Sequence, residues 1–286
     1  MKSNKETVAF AAILNQLEPK KAAHLKTFLD AHELEQLEKV ASAHPSLLKN
    51  KLSLNDSLAQ IHYSWFIPFI DPFCDTDKSL IIAAFTKADQ NKLSTHFGLE
   101  APPIKLKKQA KAFIQKIAFE WLTNEDRYYT SKELLVKSPL LCLTKLSKPQ
   151  MIEVVNLLSM HDLSIELKHV VSSSLLGKIS LHLLKSQKDY LNHILKSKEP
   201  INFPRLQLDQ WDGEKDSLRT ILYHRGFNRL GKALYGSQQA LFWHVMHKID
   251  TGRAKILEKF YSDVHNDQIH HHLVEQVVQI AKKVSG

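Results

Sequence analysis

The chemistry-bearing side chains of this 286-residue chain are above all histidines, sixteen of them, so metal ligation and proton transfer are the first chemistries to weigh. His244 and His247 stand three apart and would share a helix face, as would His271 and Glu275, four apart. The run His270-His271-His272 offers less, because successive helical side chains diverge by about 100° and three ligands cannot converge from one helix. No fourth ligand accompanies either pair, so no metal site is expected. Asp71, Asp75 and Asp77 imitate a cation loop, but Pro72 interrupts them and no Glu follows in register. Ser172, Ser173 and Ser174 fit helix capping better than nucleophilic catalysis. The sequence holds no phosphate-binding glycine loop, dinucleotide fingerprint, HExxH, GxSxG or paired CxxC motif. The expectation is a protein without catalytic residues or cofactor, not an enzyme, whose function resides in its partners.

The elements that must carry these residues are helices. Apolar spacing of three and four dominates, and no alternating strand stands out. A nine-residue pattern occurs near both ends: Leu17 to Leu25 aligns with Ile249 to Leu257. Both read apolar, acid, two variable residues, base, Ala, two variable residues, Leu. In this pattern Asp250 caps a helix, Arg253 projects to solvent, and Ala254 and Leu257 face a core. A repeated helix-turn-helix unit points to stacked helices, which make binding surfaces more readily than catalytic pockets.

Composition sets the bounds. An apolar fraction of 43% and a charged fraction of 24% are ordinary for a globular protein. No apolar run approaches the roughly 20 residues that span a bilayer, and Trp65 to Phe73 is short and holds Pro68, Asp71 and Pro72. The N-terminus leads into an amphipathic stretch and not a signal core. Cys74 and Cys142 read as buried free thiols in a reducing cytosol. The formal charge of +9 would suit nucleic acid, anionic lipid or acidic proteins. The lysines are dispersed, however, and the six arginines do not cluster, so nucleic acid is not the expected partner. The densest cluster, Lys105 to Lys116, alternates with Ala110, Phe113, Ile114 and Ile117, the pattern of a helix with a solvated lysine face.

Four units are expected: 1–45, an N-terminal helical unit; 46–137, with an aromatic core from Tyr63 to Phe73; 138–230; and 231–286. In the third, Ser147-Lys148-Pro149 starts a helix with Ser147 as cap, and Asp162-Leu163 opens another. Ser172 to Ser174 leads into a third helix, and Gln187 to Leu195 closes the set. Pro200, Pro204 and Trp211-Asp212-Gly213 mark an extended connection. Gly226 and Gly231 are expected to end or bend the helix after it.

The third unit resembles the C-terminal domain of the flagellar motor-switch protein FliG. The carrying residues are Leu146 to Ile152, Asp162-Leu163, Leu167-Lys168, Ser172-Ser173, Lys178-Ile179, Leu183 and Tyr190-Leu191. The segment Pro200 to Leu222 resembles that domain's crossover, and the two copies of the repeated pattern resemble the family's armadillo-like middle-domain helices. Where the motor protein starts its torque helix with two acids and a base, this chain has Ser147, Lys148 and Pro149. Where the family carries a ring-docking motif, this chain has Ser237-Gln238-Gln239-Ala240. The combination resembles the non-rotary adaptors of type III secretion sorting platforms, the SctK family. The resemblance implies an all-α, armadillo-like adaptor in the cytoplasm, peripheral at the inner membrane through protein contacts. It would link an inner-membrane ring protein to a switch-ring protein and take no small-molecule substrate. The alternatives are a flagellar motor-switch component and a basic helical-repeat nucleic-acid-binding protein. The residues expected to dock a partner are Trp243, His244, His247, Asp250 and Arg253.

Overall fold

The computed structural model of the protein describes all residues except 1–6, 8–9, 12–13, 15–18, 44–53, 101–103, 125–128, 131, 133–134, 171, 197–198, 200, 202 and 207. The described residues form fifteen α-helices and no strand. In order these are α1 (Pro19–Lys26), α2 (Ala31–Ala43), α3 (Leu54–Gln60), α4 (Ile67–Ile70), α5 (Asp75–Ile82), α6 (Lys87–Phe97), α7 (Lys108–Asn124) and α8 (Cys142–Lys145). There follow α9 (Lys148–Leu167), α10 (Ser173–His182), α11 (Lys185–Ile194), α12 (Lys215–Leu234), α13 (Gln239–Lys248), α14 (Thr251–Lys259) and α15 (Asp267–Ser285). Among the described residues no helix is long and apolar enough to cross a membrane. Cys74 is exposed and Cys142 half-buried, and both are free thiols. The expected burial of Cys74 therefore fails, because it caps the start of α5 at the surface.

The central element is α9. Its start is fixed locally: the Ser147 N–H donates to Gln150 Oε1 at 2.9 Å, the Gln150 N–H returns to Ser147 Oγ, and Pro149 occupies the first turn. Its far end departs from expectation. Asp162-Leu163 does not open a new helix, because α9 runs unbroken for 20 residues. The Asp162 carboxylate, a natural cap, is instead taken by Arg229 Nη2 at 2.7 Å. Buried residues lie on every side of α9, as befits a helix surrounded by others. It packs along α12 and also touches α11 and α15.

Gly226 and Gly231 neither end nor bend α12. A Cβ at Gly226 would stand 2.1 Å from the Val155 carbonyl oxygen of α9, and one at Gly231 would stand 2.7 Å from the Phe260 backbone. Both glycines exist to let backbones touch. Because α12 continues to Leu234, it crosses the boundary expected at 230. Apolar side chains from Leu135 to Ala281 form one continuous core on both sides of it.

A second core is built from Leu58, Ile61, Phe66, Phe69, Ile70, Ile82, Phe85, Leu93 and Ala118, elements α3 to α7. The aromatic stretch thus supplies core, with Phe66 and Phe69 buried. A third, small cluster gathers Ala11, Leu14 and Leu37, with Ala22 and Leu25 half-buried against it. Leu17 and Glu18 of the first repeat lie outside the described residues. In the second repeat the Asp250 side chain accepts from the Arg253 N–H at 3.1 Å, and Ala254 and Leu257 are buried, as the pattern predicts.

Candidate functional site

The five residues expected to dock a partner lie together, but three of them do not face outward. Trp243 is 2% exposed, and His244 and His247 are also buried. A side chain that buried cannot anchor a partner on an open face. They form instead the seam between the two large cores. Helix α13 presents Leu241 and Val245 to the first core and Trp243 to the second. The His247 ring lies between two indoles, with ring centroids 3.9 Å from Trp243 and 4.1 Å from Trp65. Around this stack, Trp65 Nε1–H donates to the Ile249 carbonyl at 2.9 Å and the His62 N–H donates to the His247 carbonyl at 2.8 Å. The Thr251 N–H donates to Ser64 Oγ, and His244 Nε2–H donates to the Thr130 carbonyl at 2.7 Å. Burial pushes the imidazoles of His62 and His244 down to about 4, so both stay neutral near pH 7. Lys148 adds an ion pair to Asp89 at 3.5 Å, from α9 to α6. Asp250 and Arg253 remain half-exposed at the edge and pair at 3.0 Å.

A second gathering of ionisable groups lies inside the first core. Arg229 is fully buried; it pairs with Asp162 and with Glu199 at 3.2 Å, and donates to Gln276 Oε1 at 2.7 Å. Glu199 also stands 2.5 Å from His161 Nδ1, and His161 Nε2 is 2.9 Å from the Tyr190 hydroxyl. Burial alone would raise Glu199, but the hydrogen bond from His161 and the Arg229 charge outweigh it and hold the carboxyl at about 2. Its charge makes it a pure acceptor, so Nδ1 carries a proton. Burial, followed by the Glu199 charge, pushes the Tyr190 phenol up to about 12. A cavity of about 380 Å³ opens beside these groups and is edged by His193, Glu275 and Lys283. A carboxylate fixed as charged and a phenol fixed as neutral are poor proton-exchange partners near pH 7. The chain Glu199–His161–Tyr190 therefore reads as a brace joining α9, α11, α12 and α15.

The open feature is α7. Its inner face places Gln115 and Ala118 in the second core, and Gln115 Nε2 donates to the Ala84 carbonyl at 2.8 Å. Phe113, Ile117 and Trp121 follow one another at spacings of four along the side of the helix next to this inner face, 64%, 39% and 43% exposed. Residues so spaced form one stripe along a helix. Lys105, Lys107, Lys108 and Lys116 are solvated and Ile114 turns inward, as expected, but Phe113 and Ile117 of the same expected apolar side are exposed. The helix has apolar residues on two sides, and the core took the side containing Ile114, Ala118 and Leu122. The stripe continues at its C-terminal end through Phe69, whose ring is 5.5 Å from Trp121 and 5.9 Å from Phe73. Separately, Leu176 and Leu181 of α10 and Leu184 just beyond it are exposed. Beside α10 lies a groove of about 340 Å³ with Leu218 and Leu222 in its floor and Lys215 and Arg219 at its edge. Clustered exposed apolar side chains of this kind mark protein or membrane contacts.

No protein-family model matches the chain, and no curated protein and no solved structure does either.

Proposed function

We propose that this protein is a non-enzymatic adaptor that holds different occupants on two open apolar faces of one helical body. The observation that carries this reading is two sets of exposed apolar side chains, the Phe113–Ile117–Trp121 stripe on the second core and Leu176, Leu181 and Leu184 around α10 on the first. Between them lies the seam of Trp65, His247 and Trp243, which fixes the spacing of the faces. An adaptor needs two binding surfaces at a set distance, and exposed aromatic and aliphatic side chains are the usual anchors of such surfaces.

In its finer form the proposal is a FliG-like, armadillo-like adaptor of a type III secretion sorting platform. It would lie peripherally at the inner membrane and link a membrane-ring protein to a switch-ring protein. What supports this form is the sequence resemblance centred on Leu146 to Ile152 and on the Asp250 repeat. Site-specific photo-crosslinking tests it. A crosslinking residue placed at Leu181, and separately at Ile117, in the native cell should trap a different protein at each position. Secretion-ring proteins among the Leu181 products would support the finer reading. Nucleic acid at both positions, with yield falling steeply as salt rises, would replace the adaptor with a basic nucleic-acid scaffold.

A further inference from the structure

We infer that the open face of α7 is an interface between two copies of this chain. The inference rests on reading α7 as a docking face and names its occupant. Three observations lead to a second copy rather than a foreign helix.

The stripe is symmetric about its middle. Phe113 and Trp121 lie four residues to either side of Ile117. If two copies of α7 meet antiparallel across a two-fold axis at Ile117, each Phe113 ring meets the other copy's Trp121 and the two Ile117 side chains meet each other. A two-fold interface must be self-complementary in this way, with each patch matching itself after rotation.

The charges are also arranged for that rotation. At the N-terminal end of the stripe stand Lys105, Lys107 and Lys108, all exposed. At the other end the chain from Asp71 to Asp77 is exposed and carries Asp71, Asp75 and Asp77, next to Phe73. The aromatic contacts from Trp121 through Phe69 to Phe73 join that acidic segment to the stripe. Antiparallel pairing brings the basic end of one copy to the acidic end of the other, twice. A purely acidic partner helix would leave the aspartate end facing like charge, and an anionic membrane would meet the same repulsion there.

Finally, the exposure is of the right kind. A tryptophan and a phenylalanine at the centre of a patch with charges at its ends match the anchor-and-rim arrangement of protein interfaces.

The test is sedimentation equilibrium of the full chain across a concentration series, with charge-reversed variants. The wild-type chain should show a reversible monomer–dimer equilibrium. Ile117→Glu places two carboxylates on the axis and should weaken association by about 30-fold or more. Lys105→Glu/Lys107→Glu/Lys108→Glu alone, and Asp71→Lys/Asp75→Lys/Asp77→Lys alone, should each be monomeric. An equimolar mixture of the two triple variants should restore dimers, because every end again meets its opposite. All substituted side chains are exposed, and an unchanged circular dichroism spectrum and unfolding midpoint would establish that each variant folds. A wild-type chain that stays monomeric at the highest reachable concentration overturns the inference. So does a dimer indifferent to Ile117→Glu, or a monomer that binds phosphatidylserine vesicles through α7. Any of these would remove the second copy as the occupant of α7 and leave the adaptor reading, which asks for a different occupant there, to the crosslinking at Leu181 and Ile117.

Discussion

At the scale of single residues, stability hangs on contacts that tolerate no substitute. Gly226 is the clearest. A methyl group there would meet the Val155 carbonyl at 2.1 Å, and a backbone atom cannot rotate away as a side chain can. Gly226→Ala should cost about 3 kcal/mol or more, since α9 and α12 must separate to accept it. Gly177, in α10, has nothing within 4 Å of its missing Cβ. Gly177→Ala should stabilise by about 0.5–1 kcal/mol through helix propensity alone. Urea midpoints of the two variants should move in opposite directions. Arg229 is the second such residue. Removing its guanidinium leaves the buried Asp162 and Glu199 carboxylates facing only His161 and Gln276. Arg229→Met should destabilise by about 3–5 kcal/mol, and the double change Arg229→Met/Asp162→Leu should recover part of the loss. Sequence reasoning reached the local devices at this scale and missed the distant ones. Ser147 and Asp250 were legible as caps because the cap and its target are three residues apart. Asp162 had the same chemistry, but its partner lies 67 residues away, so its role in α9 could not be read from its neighbours.

At the scale of elements, the question is which face each helix turns inward. For α15 and α11 one apolar stripe decides. For α7 two stripes compete, and the winner depends on whether the surface of α3 and the Ala84 carbonyl lie opposite. That choice is tertiary, and the lysine pattern alone does not decide which way Phe113 and Ile117 turn. The seam elements carry a prediction of their own. His62 and His244 are held near 4 when folded and return to about 6.5 when unfolded. Between those values the unfolded chain binds more protons, so stability rises with pH through that window and is lost as pH falls from 6.5 to 4. Both groups are partly solvated, so the loss should be about 1–3 kcal/mol for each. The unfolding midpoint measured between pH 7 and pH 4.5 should fall less for the double variant His62→Gln/His244→Gln than for the parent. Equal slopes for the two proteins would mean that the seam histidines are not the groups responsible.

For the molecule as a whole, the two large cores are separate in sequence but share a boundary. Trp243 is a buried member of the second core although its helix belongs to the first, and Trp65 packs against both. The cores should therefore unfold together, giving one coincident transition by circular dichroism and by tryptophan fluorescence. Trp65→Ala removes the indole that stacks on His247 and donates to Ile249, and should split that transition in two. The helical class was legible throughout the chain, because a spacing of three and four is a local signal. The division into units was less so. The expected boundary at 230 sits inside α12, and a helix that continues through two glycines looks in sequence like one that stops. Trp243, His244 and His247 are legible in the sequence as a cluster, but their burial at the seam is set by the assembled cores.

The seam also dictates an order of events during synthesis. The acceptor for the Trp65 indole, at Ile249, lies 184 residues downstream. At translation rates of roughly 5–20 residues per second, the aromatic core of α3 to α7 waits on the order of 10 to 40 seconds for its final wall. Throughout that interval Phe66 and its neighbours flank a surface that α13 has yet to close. Until the last fifth of the chain emerges, that surface stays open to solvent, and a stall in that stretch would strand a half-built core on the ribosome.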